Sequence, residues 1–275
     1  MISVITPVYN GERFIEACIK IVIEQNCPDV EHIIVDGGST DGTVEIIRDY
    51  AEKYSHIRWI SEKDKGQSDA MNKGIAMAQG HIVSFLNVDD FYEPNILNRV
   101  LELFQALPEP SLLVGNCKIL DDDDQIKYIN KPEKLKITTL LLRHSPFPLN
   151  PSAYFYHKSL HQRIGLYNAN EHYMMDLDFL IHAVQAANTK YVDELWGNHR
   201  QISGTKTASL MQSGHHVTHL NQLLEEHKKK LPMWQRLQME LEGWFHVVKP
   251  KIAYYLKHLN QVPGKVITKL LRTST

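Results

Sequence analysis

Cysteine is scarce in this chain: Cys18, Cys27 and Cys117 are scattered over 275 positions, with no C-x-x-C pair among them. That excludes a disulfide framework and a thiolate metal cluster, and it points to a reducing compartment. An excess of one charge is lacking as well. Thirty Lys and Arg oppose 32 Asp and Glu, so the overall balance gives no reason to expect a nucleic-acid partner. No uninterrupted apolar run is long enough to span a bilayer, and no basic leader precedes the first strand-like pattern. The expectation is a cytoplasmic protein, with peripheral attachment to the cytoplasmic face of a membrane left open. Two nucleotide-binding signatures are missing too: no segment has the G-x-G-x-x-G spacing, and no glycine-rich loop carries the Lys of a phosphate loop.

What is present is a regular alternation of short β-branched runs with amphipathic helical runs. Strands are expected at 2–6, 32–35, 57–60 and 82–86, and helices at 12–25, 43–54, 68–78 and 95–107. Pro94 fits the first turn of the last of these helices. Such alternation predicts an α/β fold with a mixed, mostly parallel sheet flanked by helices, and ligands bind such sheets at the carboxyl ends of the strands. Beyond residue 111 the pattern loosens. Strands are expected at 112–116 and 153–156, a hairpin around Asp121–Asp124, a helix at 178–187 and helical segments after Gly204. The four adjacent carboxylates of the hairpin read as solvated turn residues, because like charges repel and no other ligand type is interleaved. The domain expectation is a first lobe at 1–110, a second lobe of the same domain at 111–205 and a helical extension at 206–275.

Four polar features stand out. Thr6-Pro7-Val8-Tyr9-Asn10 sets an aromatic ring at a strand end, where it can stack on a flat base. In Asp36-Gly37-Gly38-Ser39-Thr40-Asp41-Gly42-Thr43, Asp36 follows a strand and can accept a hydrogen bond from a base imide or a ribose hydroxyl. Asp41 and Thr43 are better explained as helix-capping groups. Asn87-Val88-Asp89-Asp90 places carboxylates after a further strand, and a hard cation such as Mg²⁺ or Mn²⁺ bridges such a carboxylate to phosphate oxygens. Asp90 can instead tie down the turn. Last, Met175-Asp176-Leu177-Asp178-Phe179 opens an apolar helix. A carboxylate sheltered there by Met and Phe can have its pKa raised and act as a general base, although the helix dipole opposes that shift.

In this order and spacing the four features resemble the inverting glycosyltransferases of family 2, which have the GT-A fold. The resemblance covers residues 2–209, and the segment 62–74 is similar to the branch that builds bacterial O-antigen and other surface polysaccharides. It implies transfer of a sugar from a nucleoside-diphosphate sugar, UDP favoured, to a hydroxyl of a glycan or lipid-linked acceptor. By the same resemblance Pro7, Tyr9, Asp36, Lys65, Gly66 and Asp69 bind the donor, and Asp89 binds a Mn²⁺ or Mg²⁺ ion. Asp176 is then the catalytic base, with Asp178 the alternative. Two positions depart from the family pattern, Asn87 at the first acid of its D-x-D signature and Met175 at the first of the acidic pair. They leave open a sugar-nucleotide-binding protein without transfer activity. A nucleotidyltransferase is disfavoured, since residues 6–12 hold no Lys.

Three histidines, His215, His216 and His219, lie together, but no Cys or acidic partner stands at ligand spacing for zinc. Of His199 and Arg200, the planar charge of Arg200 suits diphosphate oxygens better. Past Gly243 the acidic residues stop, while Lys249, Lys251, Lys257, Lys265, Lys269 and Arg272 alternate with Trp244, Phe245, Tyr254 and Tyr255. That composition fits a segment lying on an anionic membrane surface, or else a helical lid or a dimer contact.

Overall fold

A computed structural model describes residues 1–143, 145–202 and 215–244, the side chains of His215 and His216 excepted. The tail from Phe245, with its aromatic and basic residues, lies outside the described residues. Contacts divide the chain into two compact units, Met1–Glu226 and His227–Thr275.

Among the described residues, the first unit is built on nine strands. In chain order they are β1 (Ile2–Val8), β2 (Val30–Asp36), β3 (Ile57–Ser61), β4 (Ile82–Phe85), β5 (Phe91–Tyr92), β6 (Ser111–Leu120), β7 (Ile126–Asn130), β8 (Tyr154–His157) and β9 (Asn188–Arg200). They join one sheet in the order β3-β2-β1-β4-β8-β6-β9-β5, with β7 paired to β6. The pairs β1–β2, β1–β4 and β2–β3 are parallel. Strand β8 is antiparallel to both β4 and β6, while β9 runs parallel to β6.

The helices between parallel strands follow from apolar residues at helical spacing. Helix α1 (Glu12–Glu24) buries Ile15, Cys18, Ile19 and Val22. Its Ile15 and Ile19 share a cluster with Val8, Ile34 and Ile47, the last from α2 (Thr43–Lys53). Cys18 and Val22 belong to a second cluster with Ile2, Val4, Leu97, Val100 and Trp196. Helix α3 (Gln67–Met77) leads into β4, and α4 (Ile96–Phe104) follows β5. Pro94 stands outside α4, contrary to expectation. Asn95 takes φ 62° and serves as the helix N-cap, and that left-handed residue ends the preceding loop where the proline was expected to begin the helix. All three cysteines are buried thiols.

Helices α5 (Ile137–Leu142) and α6 (Leu160–Ile164) lead to α7 (Met175–Ala186), which packs on β8 through rings. Phe179 stacks on Tyr167 at 5.1 Å and on Tyr154 at 6.1 Å. Helix α8 (His215–Lys230) crosses into the second unit, where a further helix, α9, occupies 233–244.

The strand order diverges at β1, with β2 and β3 on one side and β4 on the other. Ligand clefts in α/β sheets form at such a switch point, outside the carboxyl ends of the strands. Tyr9, Asp36, Ser61 and Asn87–Asp90 all lie at that edge.

Candidate active site

At the end of β1, Tyr9 is 64% exposed, which is unusual for an aromatic side chain beside a fully buried strand. Asn10, at φ 50°, turns the chain here and is tied to the next loop. The Thr40 amide donates to Asn10 Oδ1 at 2.9 Å, and the Asn10 amide donates to Ser39 Oγ at 2.7 Å. Pro7 occupies the strand in register with Val35.

Asp36 is fully buried at the end of β2. Its Oδ2 accepts from the amides of Gly38 and Ser39, both at 3.0 Å, and from Ser61 Oγ at 2.6 Å. Its Oδ1 accepts from Ser39 Oγ. Asp41 and Thr43 tie this loop to α1, while the N-cap position of α2 itself falls to Gly42, which offers no side chain: Asp41 accepts from the Thr43 and Glu12 amides, and Thr43 Oγ1 accepts from the Gly11 amide at 2.9 Å. Gly37 lies against the Asp64 carboxylate, where an added Cβ would come within 2.5 Å of Oδ2. Asp64 in turn accepts from the Gly66 amide at 2.8 Å, and Lys65 N–H donates to Asp69 Oδ2 at 3.2 Å. Gly66, at φ 121°, needs to be glycine to enter α3 this way. The 64–69 segment is thus a self-bonded loop beside the Asp36 turn.

The acidic turn after β4 divides its work. Asn87 is a bridge: its Oδ1 accepts from Gln67 Nε2 at 3.1 Å and its Nδ2 donates to Asp90 Oδ2 at 2.8 Å. An aspartate at 87 would set two carboxylates in contact, so the amide suits this site better than the acid. Asp90 is buried and pins its own turn to the segment at Asn150 and to β9. It accepts from Asn150 Nδ2 at 2.6 Å, from the Arg200 amide at 3.2 Å and from His199 Nδ1 at 3.0 Å, besides Asn87. Asp89 is half-buried beside it. Burial and then the Asp90 charge push its pKa up to about 6, against the opposing pull of His199 and Arg200.

Asp176 lies in the first turn of α7. Tyr154 donates its hydroxyl proton to Asp176 Oδ1 at 3.0 Å. Burial pushes the Asp176 pKa up to about 6; the Tyr154 hydrogen bond works against this, and the Asp90 charge adds to it. Burial is the largest of these influences, so the net shift is upward. Asp178, two residues on, has Oδ1 3.7 Å from His182 Nδ1. His199 belongs to the same electrostatic cluster. Burial opposes its charge, but the carboxylates of Asp90, Asp89 and Asp176 outweigh burial and raise its pKa.

Two placements go beyond sequence reasoning. His199 enters the acidic cluster through a hydrogen bond to Asp90, whereas the Arg200 guanidinium pairs with Asp124 and acts on Asp89 only through its charge. Arg200 donates Nε–H to Asp124 Oδ1 at 2.6 Å and lies 4.7 Å above the Phe91 ring. Asp124, read as a solvated turn acid, is thus an ion-pair partner. Glu171 was not anticipated at all. It is buried, accepts from the amides of Tyr173 and Met174 at 2.8 Å ahead of α7, and pairs with His219 Nε2 at 2.8 Å. His219 is the one member of the histidine group whose side chain is described.

A partly desolvated carboxylate, in electrostatic reach of Asp90 and His199, accompanies the switch point of a mostly parallel sheet in a fold of the GT-A type. The fold resembles that of Staphylococcus aureus TarS 1–349, solved in complex with UDP-GlcNAc: TM-score 0.68, 19% identity, covering 89% of this chain and 72% of that one. It also resembles the mannosyltransferase PcManGT of Pyrobaculum calidifontis, solved with GDP-Man and Mn²⁺, at TM-score 0.60 and 18% identity over 99% and 79% of the two chains. In sequence, a PGL/p-HBAD biosynthesis glycosyltransferase of Mycobacterium bovis is 30% identical over 245 residues, 88% of each chain. An uncharacterized glycosyltransferase, EpsJ, of Bacillus subtilis is 30% identical over 70% of this chain and 59% of its own. The family model described as Glycosyl transferase family 2 matches residues 3–164. The chain belongs to glycosyltransferase family 2, and it is a glycosyltransferase.

Proposed function

We propose that the enzyme moves a sugar from a nucleoside-diphosphate sugar, preferably UDP-linked, to a hydroxyl of a glycan or lipid-linked saccharide, with inversion at the anomeric carbon. Cell-surface polysaccharide synthesis is the setting proposed for it, and the mycobacterial relative is itself named for the biosynthesis of PGL/p-HBAD. The observation that carries the reading is Asp176: a carboxylate with a pKa of about 6, held on one oxygen by Tyr154, in electrostatic reach of Asp90 and His199 at the ligand edge of the sheet.

In this reading the acceptor hydroxyl gives its proton to Asp176 as its oxygen attacks the anomeric carbon in line. The bond from that carbon to the phosphate oxygen breaks, and the nucleoside diphosphate leaves with the electron pair. A base with a pKa near 6 is ionised at neutral pH and basic enough to share the proton in the transition state. Tyr154 fixes the orientation of the carboxylate, so that one oxygen is held and the other can meet the acceptor. Tyr9 stacks on the donor base. Asp36 Oδ1, with a single partner among the described residues, has capacity to accept from the base or ribose. Lys65, Gly66 and Asp69 line the nucleotide side.

The donor set around Asp89 fits a hard divalent cation, Mg²⁺ or Mn²⁺. Its ligand is a carboxylate whose charge is disfavoured by burial and by Asp90, and a cation relieves that disfavour. When bound, the ion would neutralise charge developing on the diphosphate leaving group. Arg200 engages the diphosphate by exchanging the Asp124 carboxylate for phosphate oxygens, which match the same planar fork.

The test is Asp176→Asn, read by sugar transfer and by thermal shift with UDP-, GDP- and dTDP-sugars in the presence of Mn²⁺. Transfer should fall by roughly 10²–10⁴-fold while the donor-induced shift persists. Near-full transfer in the variant sinks the assignment, and no shift with any donor overturns the reading as a whole.

A further inference from the structure

Charge is segregated along this chain in a way that its near-neutral total conceals. Residues 1–226 carry twenty Lys and Arg against thirty Asp and Glu, whereas residues 227–275 carry ten against two. The division falls where the second compact unit begins. An acidic body is thus joined to a strongly basic terminal unit, and such asymmetry is the electrostatic footprint of binding to a polyanionic surface.

The described helix of that unit, α9, is amphipathic with its apolar side outward. Met233, Trp234, Leu237 and Leu241 recur at helical spacing and are 79%, 62%, 55% and 61% exposed. The opposite face, carrying Gln235, Met239 and Glu242, is the covered one. Water-facing helices normally show the reverse arrangement, and an exposed apolar stripe of this kind marks an interaction surface. Lys229 and Lys230, at the end of α8 just before this helix, are exposed as well. A tryptophan and leucines along one face, with lysines close by, match a helix lying in the plane of a lipid headgroup region.

We infer that α9 is the docking element by which the enzyme binds an anionic lipid surface, inserting Met233, Trp234, Leu237 and Leu241 among the headgroups while the basic unit supplies long-range attraction. Lipid is the occupant favoured over a second copy of the chain, because a second copy would bring another basic unit against the first. The inference is independent of the catalytic reading, since vesicle binding needs neither donor nor Asp176.

The experiment is co-sedimentation of the full chain with vesicles of phosphatidylcholine alone or with added phosphatidylglycerol, at low and high salt. The wild type should pellet with the anionic vesicles, lose most of that binding at high salt, and bind the neutral ones weakly. The triple variant Trp234→Gln, Leu237→Gln, Leu241→Gln should partition about a hundredfold less. Its melting temperature and its transfer to a soluble acceptor should match the wild type, because the three side chains are exposed. Equal pelleting of variant and wild type overturns the inference, and so does a wild type that ignores anionic vesicles. A wild-type dimer that the variant splits, without any vesicle binding, reassigns the stripe to a second copy and likewise overturns it.

Discussion

Substituting Tyr154 by Phe removes one hydroxyl and leaves the ring that stacks on Phe179 in place. That hydroxyl donates to Asp176 Oδ1 at 3.0 Å and favours the ionised carboxylate. A hydrogen bond to a charged group contributes about 1.5–3 kcal/mol, and a pKa moves by one for each 1.36 kcal/mol, so losing the bond should raise the Asp176 pKa by about one to two. The sign follows from which form is active. A base works ionised, so the acidic limb of the rate profile moves from about 6 in the wild type to about 7–8 in the variant. At pH 6.5 the variant should therefore be roughly tenfold slower, and at pH 9 nearly as fast as the wild type. The assay is nucleoside diphosphate release at low substrate across pH 5–9, since kcat/KM reports groups of the free enzyme. Asp89 also titrates near 6, so the profile is taken at saturating Mn²⁺, where proton binding to a ligated carboxylate is suppressed. A limb that stays in place refutes the assignment of Asp176 as base. A rate lowered equally at every pH refutes it too, and reduces Tyr154 to a packing residue.

Three further outcomes follow from the same geometry. Asp176→Asn should stabilise the fold at pH 7 by up to about 3 kcal/mol, from the rise of its pKa from 3.8 to about 6, with almost no gain near pH 3 where both folded and unfolded forms are largely protonated; denaturant melts at the two pH values check this. Asp89→Asn should raise the Mn²⁺ concentration for half-maximal transfer about a hundredfold or more without lowering the melting temperature, and an unchanged metal requirement would remove Asp89 as ligand. Glu31→Ala should cost about 3–5 kcal/mol in urea unfolding, because Glu31 is buried and holds Ser3, the Gln79 and Gly80 amides and Arg58. Burial opposes the Glu31 charge but these hydrogen bonds outweigh it and lower its pKa, so this contribution is present above the usual carboxylate range and is lost as pH falls through the folded pKa.

The sequence by itself determined the strand–helix alternation and the order of the polar strand ends, because both depend on local periodicity. β-branched runs make the parallel strands, helical spacing makes α1 to α3, and the residue after each strand must emerge at one edge of the sheet. That is why Tyr9, Asp36 and Asp89 could be singled out from the sequence, whereas Asp176, in the first turn of α7, was reached through its helix-start position and the family resemblance. The tertiary structure decided what these groups are bonded to. Asp90 is fixed by Asn150 and His199, respectively 60 and 109 positions away, and Arg200 is drawn to Asp124 across 76 positions. No local pattern encodes such pairings, since they depend on β9 returning alongside β6 and β5. The same holds for the charge state of Asp176. Its helix-start position argues for a low pKa, and its burial, with Asp90 in reach, raises it against the Tyr154 hydrogen bond. The outward face of α9 is of the same kind: the spacing of Trp234, Leu237 and Leu241 is written in the sequence, but which side of the helix meets water is a property of the folded unit.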